Sequence, residues 1–502
     1  MLRKEFERVS PESVGIPSAS VERLLDRLEE GWTEPHGLMI MRFGKVFAEG
    51  WWAPYAAGIR HGLQSHTKTY AATAVGIAVT EGILSLEDRV IDIFPDRAPA
   101  EPSENLKKLK VRHVLSMACG MDEMPGNTMD WIREFLAEPV VHEPGTAFMY
   151  NSMGSTLLGA MVREKTGLGL IDYLKPRLFD RIGIDASNLR CSCMPDGMEI
   201  GGGGLYATTE DDLRLLKLYA DGGVWEGERI LSEDYVRQAV SLQNESATER
   251  AVNPPAEDNF VGYGFQIWMC RPEGVYRADG AMGQFTIVFP KYDMILAITE
   301  NASGGTGSEI PQRVLDTVWE WYYSLPAPET KALPEDEAAA EHLRRRMSML
   351  ALPAPERSPM SPLSGSAAGR YVLREGKAAF KMFDFFASGG DANDASRMDI
   401  SFTPDSAVFD VLEKDGTERR IVAGMDGSRR ENTVSGIAGR ALASAKWASD
   451  SRLEAELRLI ETASGIVMSF DFGEDGTLTV ESGSGQAFLR GRKDRAVFVK
   501  EA

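Results

Sequence analysis

From Ser65 to Thr80 the chain reads SHTKTYAATAVGIAVT, and Ala71 through Val79 carries no charge. A helix of that composition has no polar face to offer water, so it is buried almost all round. The rest of the chain must supply its cover. At its head, Ser65 and Lys68 lie one turn apart and share a face. A lysine in the first turn of a buried helix costs free energy unless it is paired or its pKa falls. A neutral or proton-sharing lysine beside a serine hydroxyl is what a nucleophile needs for activation. The helix N-terminus adds a backbone N–H dipole near the serine, which suits an oxyanion. Alone, this spacing is weak: Ser-x-x-Lys arises by chance about once or twice in a chain of this size. The competing reading is a serine near a helix start, with a lysine that snorkels to solvent.

The elements around this helix follow an order. LMIMRFGKVFAEGWW (38–52) reads as two strands joined near Gly44. LEDRVIDIFPD (86–96) reads as loop and short helix, and VRHVLSMACG (111–120) as a helix stopped by Gly120. STLLGAMVREKTG (155–167) has helical periodicity and also stops on glycine. GGGGLYATTEDDLRLLKLYADGG (201–223) is a glycine turn, then a helix capped by Thr208 or Thr209, with Asp211 or Asp212 reaching back. Short β-rich segments follow (YGFQIWMC, VYRADGAMG, QFTIVFP, MILAITE), and then a terminal helix over 310–325. Strands gather at both ends and helices in the middle. That order predicts an α+β domain over residues 1–325, with one antiparallel sheet built from both ends and covered by helices.

Pro326 to Gly369 is rich in Pro, Ala and Ser and contains one charged helix, PEDEAAAEHLRRRMSML, with acids leading and bases trailing. It reads as a linker with a connector helix over 326–369. From 370 to 502, alternating segments around Asp-Gly turns, among them LEAELRLIET, GIVMSFDFGEDGTLTV and QAFLRGR, predict an all-β barrel or sandwich.

The 502 residues carry a formal net charge of −20, which argues against a nucleic-acid partner. No apolar run is long enough to span a membrane, and the N-terminus lacks the apolar core of a signal peptide, so a cytoplasmic protein is expected. Cys119, Cys191, Cys193 and Cys270 fit neither a zinc site nor a C-x-x-C pair and read as free thiols. The scattered histidines give no H-E-x-x-H, so no metal is expected.

Four segments, in order, resemble one family. QSHTKTYAATAVGIAVTEGILSLEDRVIDIFPD is similar to the nucleophile helix and following segment of the serine β-lactamase and penicillin-binding-protein-like hydrolases. VRHVLSMACGM, EPGTAFMYNSMGSTLLGAMVREKTG and GGGGLYATTEDDLRLLKLY resemble later segments of its class C β-lactamase-like branch, which includes esterases and D-amino-acid peptidases. The resemblance spans residues 10 to 325. It implies a serine hydrolase acting on a small-molecule ester or amide through an acyl-enzyme, with no cofactor. Ser65 would be the nucleophile, Lys68 would help deprotonate it, and Tyr150 would shuttle a proton, as tyrosinate or through Lys68. The backbone N–H groups of Ser65 and Ala281 would form the oxyanion hole. Asn151, Ser152, Asp279 and Gly280 would contact substrate. The oligomeric state is left open, as is the role of the C-terminal module.

Two departures qualify the match. The family's second motif reads Tyr-x-Asn, and here Ser152 stands in the amide's place after Tyr150 and Asn151. A hydroxyl offers one donor where the amide offers two. The third motif begins with Lys or His, and here the aligned residues are Ala278, Asp279 and Gly280. Substrates bearing a carboxylate should therefore bind less well, which places D-peptidase and β-lactamase activity behind esterase activity. Arg277 should point opposite to Ala278 by strand alternation. His66 diverges from the Ser65–Lys68 face and reads as structural. A fold of this kind that binds a ligand without turnover is the competing expectation.

Overall fold

The computed structural model describes residues 5–124, 126, 128–249, 256–303, 308–378, 395–433, 439–463, 465–484 and 493–501. The chain divides into two compact units between Leu350 and Ala351.

In the first unit, helix α1 (Ser18–Leu28) precedes strands β1 (Glu34–Arg42) and β2 (Lys45–Trp51). Phe43 and Gly44 join the two strands with φ of 53° and 72°, the left-handed pair that a two-residue hairpin requires. Three long helices follow: α2 (Thr67–Thr80), α3 (Ser152–Thr166) and α4 (Thr209–Ala220). Strands β3 (Trp268–Met269), β4 (Tyr276–Gly280), β5 (Gln284–Phe289) and β6 (Met294–Asn301) come next, then helices α5 (Glu309–Tyr323) and α6 (Glu337–Ser348). The sheet is antiparallel, in the order β2-β1-β6-β5-β4-β3. N-terminal β1 lies beside C-terminal β6, with Leu38 opposite Ile298 and Ile40 opposite Leu296. One sheet is thus built from both ends of the unit. Almost every residue of β1, β5 and β6 is buried, so both faces are covered, and these strands read as continuous apolar runs rather than alternating ones.

Helix α2 is buried from Thr67 through Ala78. It packs against α3 and against the helix Glu233–Ala239. Gly76 permits the second contact, because a Cβ there would sit 2.4 Å from the Tyr235 ring. Tyr235 then donates to the Ala72 carbonyl at 2.6 Å. The cap of α4 is Thr208 with Asp211, each side chain accepting from the other's backbone N–H. Gly167 closes α3 in a left-handed conformation.

One helix is shorter than its sequence suggests. The segment 111–120 is helical only over Val111–Leu115. The Leu115 carbonyl accepts from the Gln266 backbone N–H at 3.1 Å and from Gln266 Nε2 at 2.8 Å. A carbonyl satisfied from outside needs no further helical turn. Gly120 still has a positive φ, but its role is a close approach: a Cβ there would meet the His142 carbonyl oxygen at 2.3 Å.

The division at Leu350 leaves the charged helix α6 in the first unit, packed on α1 and β2, rather than in a linker. Among the described residues the second unit holds ten strands between Gly369 and Lys500. Nine close into a barrel through the pairing of Gly424 with Ser444, and the tenth, Arg430–Thr433, lies against Arg440–Trp447. Barrel and sandwich were both open from the sequence, and closure decides for the barrel. Strand Arg452–Leu459 buries every second residue, and Phe409 stacks on Phe470 inside at 4.7 Å. Gly416, Gly427 and Gly476 supply the left-handed positions of the Asp-Gly turns. The segment QAFLRGR (486–492) falls outside the described residues.

Among the described residues the four cysteines are free thiols, no helix is long and apolar enough to cross a membrane, and no cluster of His, Cys, Asp or Glu could hold a metal ion.

Candidate active site

A two-residue strand, His61–Gly62, pairs with Leu205–Ala207 and delivers the chain to a short 3-10 turn, Gln64–His66. Gln64 adopts φ 52°, a rare conformation for a residue with a side chain, and the chain then enters α2 at Thr67. Ser65 is half-buried on this turn, and Lys68 is 1% exposed. Lys68 Nζ donates to Ser65 Oγ at 2.8 Å and also to the Gly202 carbonyl. Burial pulls the Lys68 pKa from its ordinary 10.5 to about 7, and Asp279 opposes that shift.

Gly202 belongs to the glycine run before α4. A Cβ at this position would lie 2.3 Å from the Ser152 carbonyl oxygen, so only glycine brings this backbone against the start of α3. Its N–H is held by Thr156 Oγ1 at 3.1 Å. Sequence reasoning read the run as a turn and missed its carbonyl as a partner for Lys68.

Tyr150 immediately precedes α3. The Ser65 side chain acts on its phenol, against the effect of burial, and Lys68 Nζ lies 4.9 Å from its ring centroid. The ring stacks on Trp268 at 5.7 Å and meets Tyr263 edge-on at 6.3 Å. Burial raises the pKa of Tyr150, which keeps it a neutral phenol. Trp268 was not singled out from the sequence, where YGFQIWMC reads only as a strand.

The residues after Tyr150 correct one expectation. Asn151 is fully buried and caps α3, its Oδ1 accepting from the Gly154 N–H at 2.8 Å. Its amide nitrogen faces Met121 Sδ at 3.9 Å, so the side chain is turned away from any substrate. Ser152 is half-buried as the first residue of α3.

On β4, Ala278 is fully buried in the core, and Asp279 points the other way with its side chain 21% exposed. Arg277 shares the Asp279 side of the strand, and its Nε donates to Asp279 Oδ2 at 2.8 Å. The rest of the Arg277 guanidinium is occupied by the carbonyls of Asp258 and Met269, by Cys270 Sγ and by Asn259 Oδ1. Each of its three nitrogens therefore has a protein partner. Gly280 lets β4 run against the turn that carries Ser65, because a Cβ there would sit 2.1 Å from the Leu63 carbonyl oxygen. Ala281 follows, exposed, in a turn where Met282 and Gly283 have φ of 64° and 86°.

His66 leaves this cluster. It is buried, its Nε2 lies 3.0 Å from Thr286 Oγ1 on β5, and burial drops its pKa to about 3. Gln266, also unremarked in the sequence, binds three elements from a left-handed backbone (φ 59°). Its carbonyl accepts from Thr69 of α2, its Oε1 accepts from Ser155 of α3, and its Nε2 donates to Leu115.

Residues 21–318 match the family model described as Beta-lactamase. The chain belongs to the Beta-lactamase family. The matched segment ends within α5, so the barrel unit of this family member lies beyond it. A 6-aminohexanoate-dimer hydrolase of Paenarthrobacter ureafaciens is 25% identical over 301 residues, covering 54% of this chain and 74% of that protein. A penicillin-binding protein homologue from Caulobacter crescentus shares the fold, with a TM-score of 0.51 and 19% identity over 63% of this chain and 100% of its own. This Beta-lactamase family member therefore has the helix-covered antiparallel sheet of a hydrolase family.

Proposed function

We propose that this chain is a serine hydrolase that cleaves small esters or amides through an acyl-enzyme on Ser65. The observation that carries the reading is a buried Lys68, with a pKa near 7, that contacts the Ser65 hydroxyl at 2.8 Å. As a free amine Lys68 takes the Ser65 proton while Oγ attacks the substrate carbonyl. The resulting oxyanion is received by the backbone N–H groups of Ser65 and Ala281. Tyr150, a neutral phenol near Ser65 and Lys68, passes a proton to the leaving group and is reprotonated from the Lys68 ammonium. Water then attacks the acyl-enzyme, its proton returns through the same pair, and Ser65 is regenerated. The tyrosinate alternative is disfavoured, since burial works against the phenolate and for the free amine.

Esters are the preferred substrates because a better leaving group asks less of the acid. Amides come second, a choice supported by the relative named a 6-aminohexanoate-dimer hydrolase. Ser152 and Ala278 favour a second reading, a family member that binds ligand without turnover. Intact mass after exposure to a small fluorophosphonate, with peptide mapping, separates the two. One adduct on Ser65, lost in Ser65→Ala together with ester hydrolysis, supports the hydrolase. A folded protein with no adduct favours the binding reading.

A further inference from the structure

At the cluster around Ser65, three charged side chains lie close together, and they differ in what they can offer a ligand. Lys68 is 1% exposed and committed to Ser65 and Gly202. Arg277 is fully buried, with protein partners on all three of its nitrogens. Asp279 alone of the three reaches solvent, with 21% of its side chain exposed. Its Oδ2 is held by Arg277 from within the protein, and its charge is felt by both Lys68 and Tyr150. The pair is therefore a dipole with its positive end sealed inside and its negative end turned to the site. Alternation along β4 puts Ala278, paired opposite Thr286, on one face and Arg277 and Asp279 together on the other.

We infer that the site selects substrates bearing a cationic group, such as an ammonium, near the scissile carbonyl, and rejects substrates bearing a carboxylate there. The inference rests on the reading of Ser65 as nucleophile and adds the substrate class. A cation near Asp279 gains Coulomb energy in a partly desolvated site, whereas an anion must face a carboxylate whose own counter-ion is out of reach. The Arg277 guanidinium cannot turn to rescue the anion without abandoning Asn259, Met269 and Asp258.

Two matched ester series test the inference on the full chain. The acyl series is the p-nitrophenyl esters of 4-(trimethylammonio)butyrate, 5,5-dimethylhexanoate and glutarate. The alcohol series is acetylcholine, 3,3-dimethylbutyl acetate and 3-acetoxypropionate. In at least one series kcat/KM should fall in the order cation, neutral, anion, with about tenfold or more between cation and neutral isostere at low salt. The ratio should shrink as salt is added. In Asp279→Asn it should collapse towards one, and Asp279→Glu should retain it. Equal rates across both series in the unaltered protein, or a preference that survives Asp279→Asn, overturn the inference and leave the hydrolase reading intact. Absence of turnover in both series with no fluorophosphonate adduct counts against the hydrolase reading itself.

Discussion

The Gly202 carbonyl accepts a hydrogen bond from Lys68, the same amine that contacts Ser65 Oγ at 2.8 Å. The lysine is thus oriented by backbone from the glycine run before α4. A carbonyl cannot donate, so it fixes the position of the amine without competing with the Ser65 hydroxyl for the amine's lone pair.

Gly202→Ala should therefore damage activity more than a surface glycine change would. The new Cβ lies 2.3 Å from the Ser152 carbonyl oxygen, and backbone must shift to accept it. Displacing Lys68 by even about 1 Å should lower kcat on the order of 100-fold. The control is Gly58→Ala, at an exposed loop position with open space around its Cβ site and no positive φ. Steady-state kinetics with a neutral ester and the thermal midpoint of both variants check this. Full activity in Gly202→Ala would remove the carbonyl from the account.

The activity of an uncharged ester should rise with pH through the Lys68 pKa of about 7. Below it the amine is protonated and cannot accept from Ser65, so log kcat/KM should climb with a slope near one and then level off. Asp279 raises the Lys68 pKa, so Asp279→Asn should move this limb to lower pH. The stability linkage has a definite sign. Between about 7 and 10.5 the unfolded chain holds the lysine proton and the folded chain does not, so this group makes folding more favourable as pH rises across that window. A pH–rate profile of both proteins decides it, and an unmoved limb in the variant would mean that Asp279 does not act on Lys68.

The sheet, the buried helix and most helix ends were legible because they rest on periodicity and on capping residues such as Thr208 with Asp211 and Gly167. Ser65 and Lys68 were legible because one helical turn fixes their spacing. The contacts that complete the cluster join residues far apart in sequence. Gly202 meets Lys68 across 134 residues, and Gln266 meets Ser155 across 111. No local pattern encodes such pairs. Asn151 shows the opposite error. Its place in a motif suggested a ligand contact, while the simpler chemistry of an asparagine before a helix, capping, was the one realised.

That reassignment has a measurable consequence. Asn151→Ala should destabilise the protein by about 1–2 kcal/mol through the lost cap and the orphaned Gly154 N–H. Asn151→Asp keeps the acceptor but buries a charge and should not fully recover stability. Because the side chain faces Met121 rather than the site, KM for a neutral ester should stay within about twofold in Asn151→Ala; this small change is a rough expectation for a buried cap. A large rise in KM with unchanged stability would restore Asn151 as a substrate contact.

Glu300 gives the sharpest stability test. It is fully buried on β6, and Thr33 Oγ1 donates to its Oε2 at 2.6 Å. Among the described residues Oε1 has no hydrogen-bond partner and lies where a Cβ of Gly283 would be, 2.3 Å away, beneath the turn that carries Ala281. With no cation beside it, burial pushes the carboxyl up to about 8, so it is neutral at pH 7. The folded chain keeps this proton between 4.5 and about 8 and the unfolded chain does not, so stability falls as pH rises across that window. The cost at pH 7 is at most about 3.5 kcal/mol, from roughly 1.4 kcal/mol per pH unit over the 2.5 units above 4.5. Glu300→Gln removes the proton linkage. Its unfolding midpoint should match the unaltered protein near pH 5 and exceed it increasingly towards pH 8. Ionised Glu300 beneath the Ala281 turn would also oppose a developing oxyanion, so the unaltered enzyme should lose kcat above pH 8 and the variant should not. Parallel stability curves for the two proteins from pH 5 to 8 would show that Glu300 is already ionised in the folded state, and the alkaline loss of activity would then need another source.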